Sequence, residues 1–137
     1  CFNTGSSWDK CDFESNLCKA LPQFNLQPGW IRRNGQCGMG PPYSAHNGNE
    51  SAYFLSLSSE TQSSSASLRT NVFFPTDEEH VCQVFHNWVS QMGGTLMVGL
   101  QKHSEDIVRN IWQVSGELRN QWNVSTITIN STEKYEV

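Results

Sequence analysis

Four histidines and five cysteines are the residues of this chain whose side chains could most readily do chemistry. The histidines, at positions 46, 80, 86 and 103, could ligate a metal or act as general bases. His80 and His86 are six positions apart and no His-Glu-x-x-His motif occurs, so their spacing does not predict a zinc site. The run Asp77-Glu78-Glu79-His80 offers oxygen ligands, but it is better interpreted as a solvated turn before a strand.

Catalysis by a nucleophile or by paired carboxylates finds no support in the sequence. The chain has no Gly-x-Ser-x-Gly elbow, and its cysteines are more consistent with oxidised than with nucleophilic sulfur. Paired carboxylates for glycoside hydrolysis must converge in a cleft, which the order of residues does not reveal. We therefore predict that the chain is not an enzyme and needs no cofactor.

The cysteines, at positions 1, 11, 18, 37 and 82, indicate disulfide bonds. The closest two are separated by six residues, so neither a zinc framework of CxxC pairs nor a CxxC redox pair is present. Three glycosylation sequons point to the same oxidising compartment, namely Asn49-Glu50-Ser51, Asn123-Val124-Ser125 and Asn130-Ser131-Thr132. Together these features predict an extracellular protein, at the cell surface or secreted, with glycans at Asn49, Asn123 and Asn130.

Length and charge narrow the function classes further. A chain of 137 residues is the size of one domain. Its net charge of −4 and the absence of a basic cluster argue against nucleic-acid binding. Its apolar runs are far shorter than the ~20 residues that span a bilayer, so we expect membrane association only through a parent protein.

The odd number of cysteines requires an explanation, because an exposed lone thiol reacts in an oxidising compartment. The final residues, Lys134-Tyr135-Glu136-Val137, read as the beginning of a strand. We therefore expect the natural chain to continue, with the partner of one cysteine beyond Val137.

The elements that must position these residues are predicted to be strands. Branched and aromatic residues cluster between turn-forming residues at 52–57, 67–73, 80–90, 95–102, 110–114, 125–129 and from 134 onward. In 95–102, Leu96, Val98 and Leu100 alternate with more polar positions, which predicts one face in the core. In 125–129, Ile127 and Ile129 share one phase, so Asn130 falls in the other and faces outward.

Helix is not expected anywhere. Residues 104–112 come closest to a helical pattern, with Ser104 as an N-cap, but we predict a turn followed by a strand. Residues 58–65 and 34–49 are predicted loops, and Phe73-Phe74-Pro75 is a strand end or an exposed apolar lip. Many short strands between turn signals indicate an all-β, antiparallel sandwich or jelly roll.

Several motifs, in the same order along the chain, resemble the MAM domain family, named for meprins, a neuropilin-related antigen and receptor tyrosine phosphatase mu. The opening motif is Cys11-Asp12-Phe13-Glu14-Ser15-Asn16-Leu17-Cys18, followed by Trp30, Gly40-Pro41 and Tyr53-Phe54-Leu55. The middle motif is Cys82-Gln83-Val84-Phe85, Trp88 and Gly93-Gly94-Thr95-Leu96-Met97-Val98. The late motif is Ile111-Trp112, Gly116, Trp122, Ile127 and Ile129.

The resemblance covers residues 11–137 and leaves 1–10 as an N-terminal extension. It implies an antiparallel jelly-roll β-sandwich that lacks its last strands. It also implies that Cys11 pairs with Cys18, and that the usual partner of Cys82 lies in the missing ending. Cys1 and Cys37 fall outside the family pattern and could pair with each other.

The resemblance bears on cations as well. Of the acidic residues that family members use to bind a cation near the first disulfide, only Glu14 remains here by position, so we do not expect a calcium site.

The function that the resemblance implies is protein–protein recognition in a larger cell-surface or secreted glycoprotein, either homophilic or heterophilic, for adhesion, dimerisation or receptor assembly. Aromatic and arginine side chains dominate binding hot spots. We therefore predict that the contacts are made by Trp8, Arg32, Arg33, Tyr43 and His46. The alternatives are a glycan-binding, lectin-like module, because jelly rolls also serve as lectin scaffolds, and an accessory noncatalytic domain of a receptor phosphatase or protease.

Overall fold

The structure of the protein is a computed structural model of all 137 residues. It describes residues 11–14, 29–38, 40–57, 65–76, 81–90, 94–116 and 120–137. Within these ranges the chain forms seven strands and one short 3₁₀ helix, Gly35–Cys37. The strands are β1 (Trp30–Asn34), β2 (Tyr53–Leu57), β3 (Val81–Asn87), β4 (Thr95–Lys102), β5 (Val108–Ser115), β6 (Asn123–Ile129) and β7 (Tyr135–Glu136). The predicted all-β fold is therefore confirmed, and every strand pair is antiparallel.

The chain divides into two compact units, one of residues 9–71 and one of residues 1–8 with 72–137. The described part of the first unit is built on the pair β1–β2, in which Arg33 faces Phe54 and Asn34 faces Tyr53. Its buried side chains include Arg33, Ala45, Ala52 and Phe54.

The described part of the second unit is a sandwich of two sheets. One sheet pairs β3 with β6, and the other has the order β5-β4-β7. An isolated bridge between Phe73 and Tyr135 extends the second sheet by one short segment. Both sheets are antiparallel, which is consistent with the predicted jelly-roll sandwich.

The core of the sandwich lies between these two sheets. Ile127 and Ile129 of β6, Leu100 of β4 and Tyr135 of β7 are buried there together. The rings of Phe85 and Trp112 meet edge to face, with centroids 5.0 Å apart, and so join β3 to β5. The alternation of apolar residues predicted in 95–102 and 125–129 places their side chains in this core.

The segment around residue 104 forms a turn, as predicted. The Glu105 amide donates to the Lys102 carbonyl at 3.0 Å, and β5 begins at Val108. The pairing of β4 with β5 shifts register between Val98 and Gly99, and Ile111 is left without a cross-strand partner. Glycine at position 99 fits beside the side chain of Val108, because a Cβ there would collide with its Cγ1 unless that side chain shifted.

Other sequence expectations need correction. The strand predicted at 67–73 is reduced to the single bridge at Phe73, since residues 65–72 are not in strand pairing. The loop predicted at 34–49 begins with the last residue of β1 and the 3₁₀ helix, and β1 itself was not predicted. The sequence did not predict β1 because it contains Arg32 and Arg33, and long charged side chains lower the apparent β-propensity of a segment. Most of the loop at 58–65 lies outside the described residues.

Candidate functional site

Arg33, one of the predicted contact residues, is an interior side chain. It is 4% exposed, and its guanidinium lies over the Phe54 ring at 4.7 Å from the centroid. It donates hydrogen bonds to the Pro41 and Pro42 carbonyls at 3.1 and 3.3 Å. Burial lowers the pKa of this guanidinium below its ordinary value. The prediction that Arg33 is an exposed contact is wrong, because the side chain anchors the Gly/Pro-rich loop from inside.

Arg32 is half-buried and fastens two chain segments together. Its Nε donates to the Phe13 carbonyl at 2.6 Å, and its guanidinium stacks 3.5 Å from the centroid of Tyr53. The Glu14 carboxylate in turn accepts the Tyr53 amide hydrogen at 3.1 Å. The sequence grouped Arg32 with its neighbour, but alternation along β1 gives the two arginines different partners.

Glu14, the one residue retained from the family's cation-binding pattern, therefore has a structural partner. Among the described residues no group of three or more His, Cys, Asp or Glu side chains is arranged to hold a metal ion. The absence of a calcium site remains a prediction for the whole chain.

Tyr43 and His46 are the predicted contact residues that the structure places at the surface. Tyr43 is 64% exposed, and His46 is exposed in the same loop. The loop is held by Gly35, whose Cα lies so close to the Tyr43 carbonyl that a Cβ would overlap it. The Ala45 amide donates to the Asn49 carbonyl at 3.0 Å and the Gly48 amide donates to the Ala45 carbonyl at 2.9 Å, which closes the turn that follows. Trp8 lies outside the described residues, so its role stays a prediction.

The cysteines differ from expectation at two positions. Cys37 is a free, exposed thiol, so the bridge suggested between Cys1 and Cys37 is not formed. Cys82 is disulfide-bonded, which corrects the expectation that it lacks a partner, and Cys11 is also disulfide-bonded. Cys18 lies outside the described residues, and its pairing with Cys11 remains a prediction.

The three sequon asparagines have different surroundings. Asn49 is exposed, and its Oδ1 accepts the Ser51 amide hydrogen at 2.9 Å. Asn130 is exposed directly after β6. Asn123 is half-buried, and its Nδ2 donates to the Gln121 carbonyl at 2.9 Å. Asn49 and Asn130 thus present accessible amides, whereas Asn123 is engaged with its own turn.

A surface that sequence reasoning did not select lies on the side of β4 and β5 that faces away from the core. We call it the outer β4–β5 face, and it consists of Met97, Val108, Asn110, Ile111 and Gln113. Met97 is 61% exposed, and Val108 and Ile111 are also exposed. Asn110 Nδ2 donates to Gln113 Oε1 at 2.7 Å and lies 3.9 Å from Met97 Sδ. The alternation in 95–102 already put Met97 outward, but the bulge hid the positions of Val108 and Ile111.

A second exposed group, which we call the Phe74 lip, consists of the apolar Val72 and Phe74 together with Lys134. Phe73 packs on Tyr135 in the core, with ring centroids 5.5 Å apart, so the residues on either side of Phe73 point outward. Phe74 is 75% exposed, with the Lys134 ammonium 5.2 Å from its ring centroid. The bridge of Phe73 to Tyr135 places the lip on the β5-β4-β7 sheet, next to β7. Phe74 therefore fits the interpretation as an exposed apolar lip, whereas Phe73 makes an isolated bridge and does not end a strand.

Two ion pairs lie on the same sheet, but Arg109 is opposite Leu100 and Lys102 is opposite Tyr135, so both cations take the core phase and not the outer face. Arg109 donates two hydrogen bonds to the Glu105 carboxylate, at 2.8 and 3.0 Å. The two residues are four positions apart, and Glu105 lies in the turn before β5. Lys102 and Glu133 approach to 3.8 Å at the β4–β7 side. The outer β4–β5 face itself combines exposed apolar side chains with the hydrogen-bonded polar pair Asn110 and Gln113, a mixture that protein interfaces also show.

The comparison with known families agrees with this architecture. The family model described as "MAM domain, meprin/A5/mu" matches residues 11–137. In the part of the chain that the structure describes, no helix is both long enough and apolar enough to cross a membrane.

Proposed function

Because this chain belongs to the MAM domain family, meprin/A5/mu, we propose that it is an extracellular protein–protein recognition module of a larger cell-surface or secreted glycoprotein. MAM domains are noncatalytic, adhesion-type modules of the extracellular parts of larger proteins. The specific role that we propose is adhesion, dimerisation or receptor assembly. The partner is a protein, either a second copy or a different chain.

The observation that carries this proposal is the outer β4–β5 face with the Phe74 lip beside it. Side chains of Met97, Val108, Ile111 and Phe74 expose apolar surface at one sheet, where a monomer gains nothing from it. Each square ångström of apolar surface removed from water contributes roughly 25 cal/mol. A partner that covered a standard patch of about 800 Å² per side would bury these residues at the centre of the contact.

The fixed shape of this surface also supports a role in recognition. The Phe85–Trp112 contact holds β5 against the core, and the hydrogen bond between Asn110 and Gln113 orders the polar side chains. A preorganised surface loses little side-chain entropy on binding, so more of the buried area contributes to affinity. Tyr43 and His46 remain additional contact candidates in the other unit.

Glycan binding is the alternative, and exposed Tyr43 is the observation that favours it. A phenol ring that is 64% exposed could stack on the apolar face of a sugar. An accessory role beside a protease or phosphatase domain is compatible with either kind of binding.

A cell-binding assay separates the two functions. The chain is secreted from animal cells, tetramerised to raise avidity, and applied to cells that have been treated with trypsin or with glycosidases. We expect trypsin to abolish binding and glycosidases to leave most of it. Binding that survives trypsin, is lost after glycosidase treatment and disappears in Tyr43→Ala would contradict protein recognition and support the glycan-binding alternative.

A further inference from the structure

The opposite sheet of the sandwich has an outward side of a different chemical character. In the β3–β6 pair, Cys82 faces Thr128, Val84 faces Thr126 and His86 faces Val124. Directly opposite residues of a strand pair share one side of the sheet. The core takes the other side through Ile127 and Ile129. We call these six residues the outer β3–β6 face: Cys82, Val84, His86, Val124, Thr126 and Thr128.

Most of this face is exposed and it lacks fixed charge, while Cys82 at one end is half-buried. Val124 is 63% exposed, and Val84, Thr126 and Thr128 are exposed as well. None of its six residues is Lys, Arg, Asp or Glu, and His86 is its one ionisable side chain, because Cys82 is disulfide-bonded. It also has no Trp, Tyr or Arg, the residue types that dominate protein-binding hot spots.

The chemistry of the face fits a neutral, amphipathic occupant. Its branched side chains offer flat methyl surface, and the hydroxyl of the exposed Thr126 can both donate and accept hydrogen bonds. A sugar ring combines an apolar C–H face with a rim of hydroxyls and has no charge to pair. A protein partner, in contrast, would find no anchoring aromatic or arginine residue here.

Asn130 lies at the end of the same row of side chains. Burial alternates without a break from Ile127 to Thr132, with Ile127, Ile129 and Ser131 buried and the intervening residues exposed. Asn130 therefore points to the side of Thr126 and Thr128. Its Oδ1 accepts the Thr76 hydroxyl at 3.4 Å, which leaves Nδ2, the atom that carries an N-linked sugar, outside this contact.

The backbone around Asn130 is firmly held, so the direction of its side chain is fixed. Ser131 is 1% exposed, and its amide donates to Thr76 Oγ1 at 2.9 Å while its carbonyl accepts the Thr76 amide at 2.8 Å. The Ser131 hydroxyl donates to the Glu133 carbonyl at 2.7 Å. Thr132, the third residue of the sequon, is exposed.

We propose that Asn130 carries an N-linked glycan whose first sugars lie on the outer β3–β6 face. The distance from Asn130 to Thr126 along the strand is roughly 13 Å at about 3.3 Å per residue, which a few sugar rings can follow. Asn123, the other sequon of this unit, shares the phase of Ile127 and faces the buried Asn87. Its glycan would leave from the rim rather than from this face. The outer β3–β6 face is thus covered by the protein's own sugar, and the outer β4–β5 face is left for the partner.

This inference rests on the extracellular location in the proposed function, and side-chain footprinting tests it separately from partner binding. The chain is secreted from animal cells, and glycopeptide mass spectrometry measures occupancy at each sequon. Hydroxyl-radical footprinting then measures the oxidation rates of Val84, His86 and Val124. Asn130→Gln and Thr132→Ala both remove the sequon, and the second keeps the Asn130 side chain in place. Asn49→Gln is the control that removes a glycan from the other unit.

We expect an occupied Asn130 and a severalfold rise in the oxidation of Val84, His86 and Val124 in both sequon variants. In Asn49→Gln these rates should equal those of the unchanged protein, and the Met97 rate should be the same in every variant. An unoccupied Asn130, or oxidation rates that do not change when its glycan is lost, would overturn the inference. A rise in Asn130→Gln without a rise in Thr132→Ala would also overturn it, since the side chain and not the sugar would then be the cause.

Discussion

The guanidinium of Arg33 on β1 stacks over the ring of Phe54 on β2, with 4.7 Å between the central carbon of the guanidinium and the ring centroid. The two residues are direct cross-strand partners. The same guanidinium donates to the carbonyls of Pro41 and Pro42. A single buried cation thus couples the β1–β2 pair to the loop that presents Tyr43.

Arg33→Ala should destabilise the protein strongly. The substitution leaves two carbonyls without their donor and removes the packing on Phe54. Each buried polar group that loses its partner costs about 1–3 kcal/mol, so we expect a loss of roughly 2–5 kcal/mol in the free energy of unfolding. Chemical denaturation followed by tryptophan fluorescence measures it.

Arg109→Ala is the matched control for that experiment. Arg109 is also paired, with Glu105, but its side chain is 60% exposed. Exposed ion pairs contribute about 0.2–1 kcal/mol, so this variant should unfold close to the unchanged protein. Equal losses in the two variants would show that the contacts of Arg33 do not hold the loop.

Gly35→Ala should be more damaging than Gly99→Ala. A Cβ at position 35 would overlap the main-chain carbonyl of Tyr43, whereas a Cβ at position 99 would meet only the side-chain Cγ1 of Val108. Backbone atoms relax less readily than the end of a side chain, so the first change should cost several kcal/mol and the second about 1–3 kcal/mol. Thermal unfolding of both variants checks the order, and the reverse order would contradict the close approach of Gly35 to the loop.

Stability should fall at alkaline pH because of Tyr135. Burial raises the pKa of its phenol above the ordinary value, which is about 10. Below that pH the phenol is protonated in both the folded and unfolded states, and its contribution is fully present. Above it the unfolded chain loses the proton first, so stability declines as pH rises toward the folded pKa, by at most about 1.4 kcal/mol per unit.

Tyr135→Phe keeps the ring packed on Phe73 and removes the ionisable group. Urea unfolding of both proteins between about pH 8 and 11 should show a shallower decline for the variant. Identical slopes would mean that the phenol is not buried in the folded state.

Much of the sandwich could be predicted because its strands carry a period of two. The alternation in β4 comes from Leu96, Val98 and Leu100, and the alternation in β6 comes from Ile127 and Ile129. Both strands were predicted from it, since one side of each strand faces the core. The strand β1 was not predicted because Arg32 and Arg33 occupy it. Their charge suggested a loop, while their cation–π and carbonyl contacts with distant residues make a strand stable.

The candidate surface was harder to predict than the fold. Exposure depends on which side of a sheet a residue takes, and the bulge at Ile111 breaks the alternation that would have revealed it. Arg33 was selected as a contact because arginine is common at interfaces, yet its burial comes from residues eight and nine positions away in the loop. The residues next to Arg33 in the sequence do not indicate that it will bond to these two loop carbonyls. Tyr43 was identified correctly as exposed because the surrounding glycines and prolines indicate a surface loop.

Comparing Met97→Lys with Val124→Lys tests protein recognition through the outer β4–β5 face most directly. The two side chains have nearly the same exposure, 61% and 63%, and lie on opposite outer sides of the sandwich. A lysine in the centre of an apolar contact must be desolvated without a partner, so Met97→Lys should reduce trypsin-sensitive cell binding at least tenfold. Val124→Lys should bind like the unchanged protein, with both variants equally folded by circular dichroism. Unreduced binding by Met97→Lys, or equal losses in the two variants, would contradict the account.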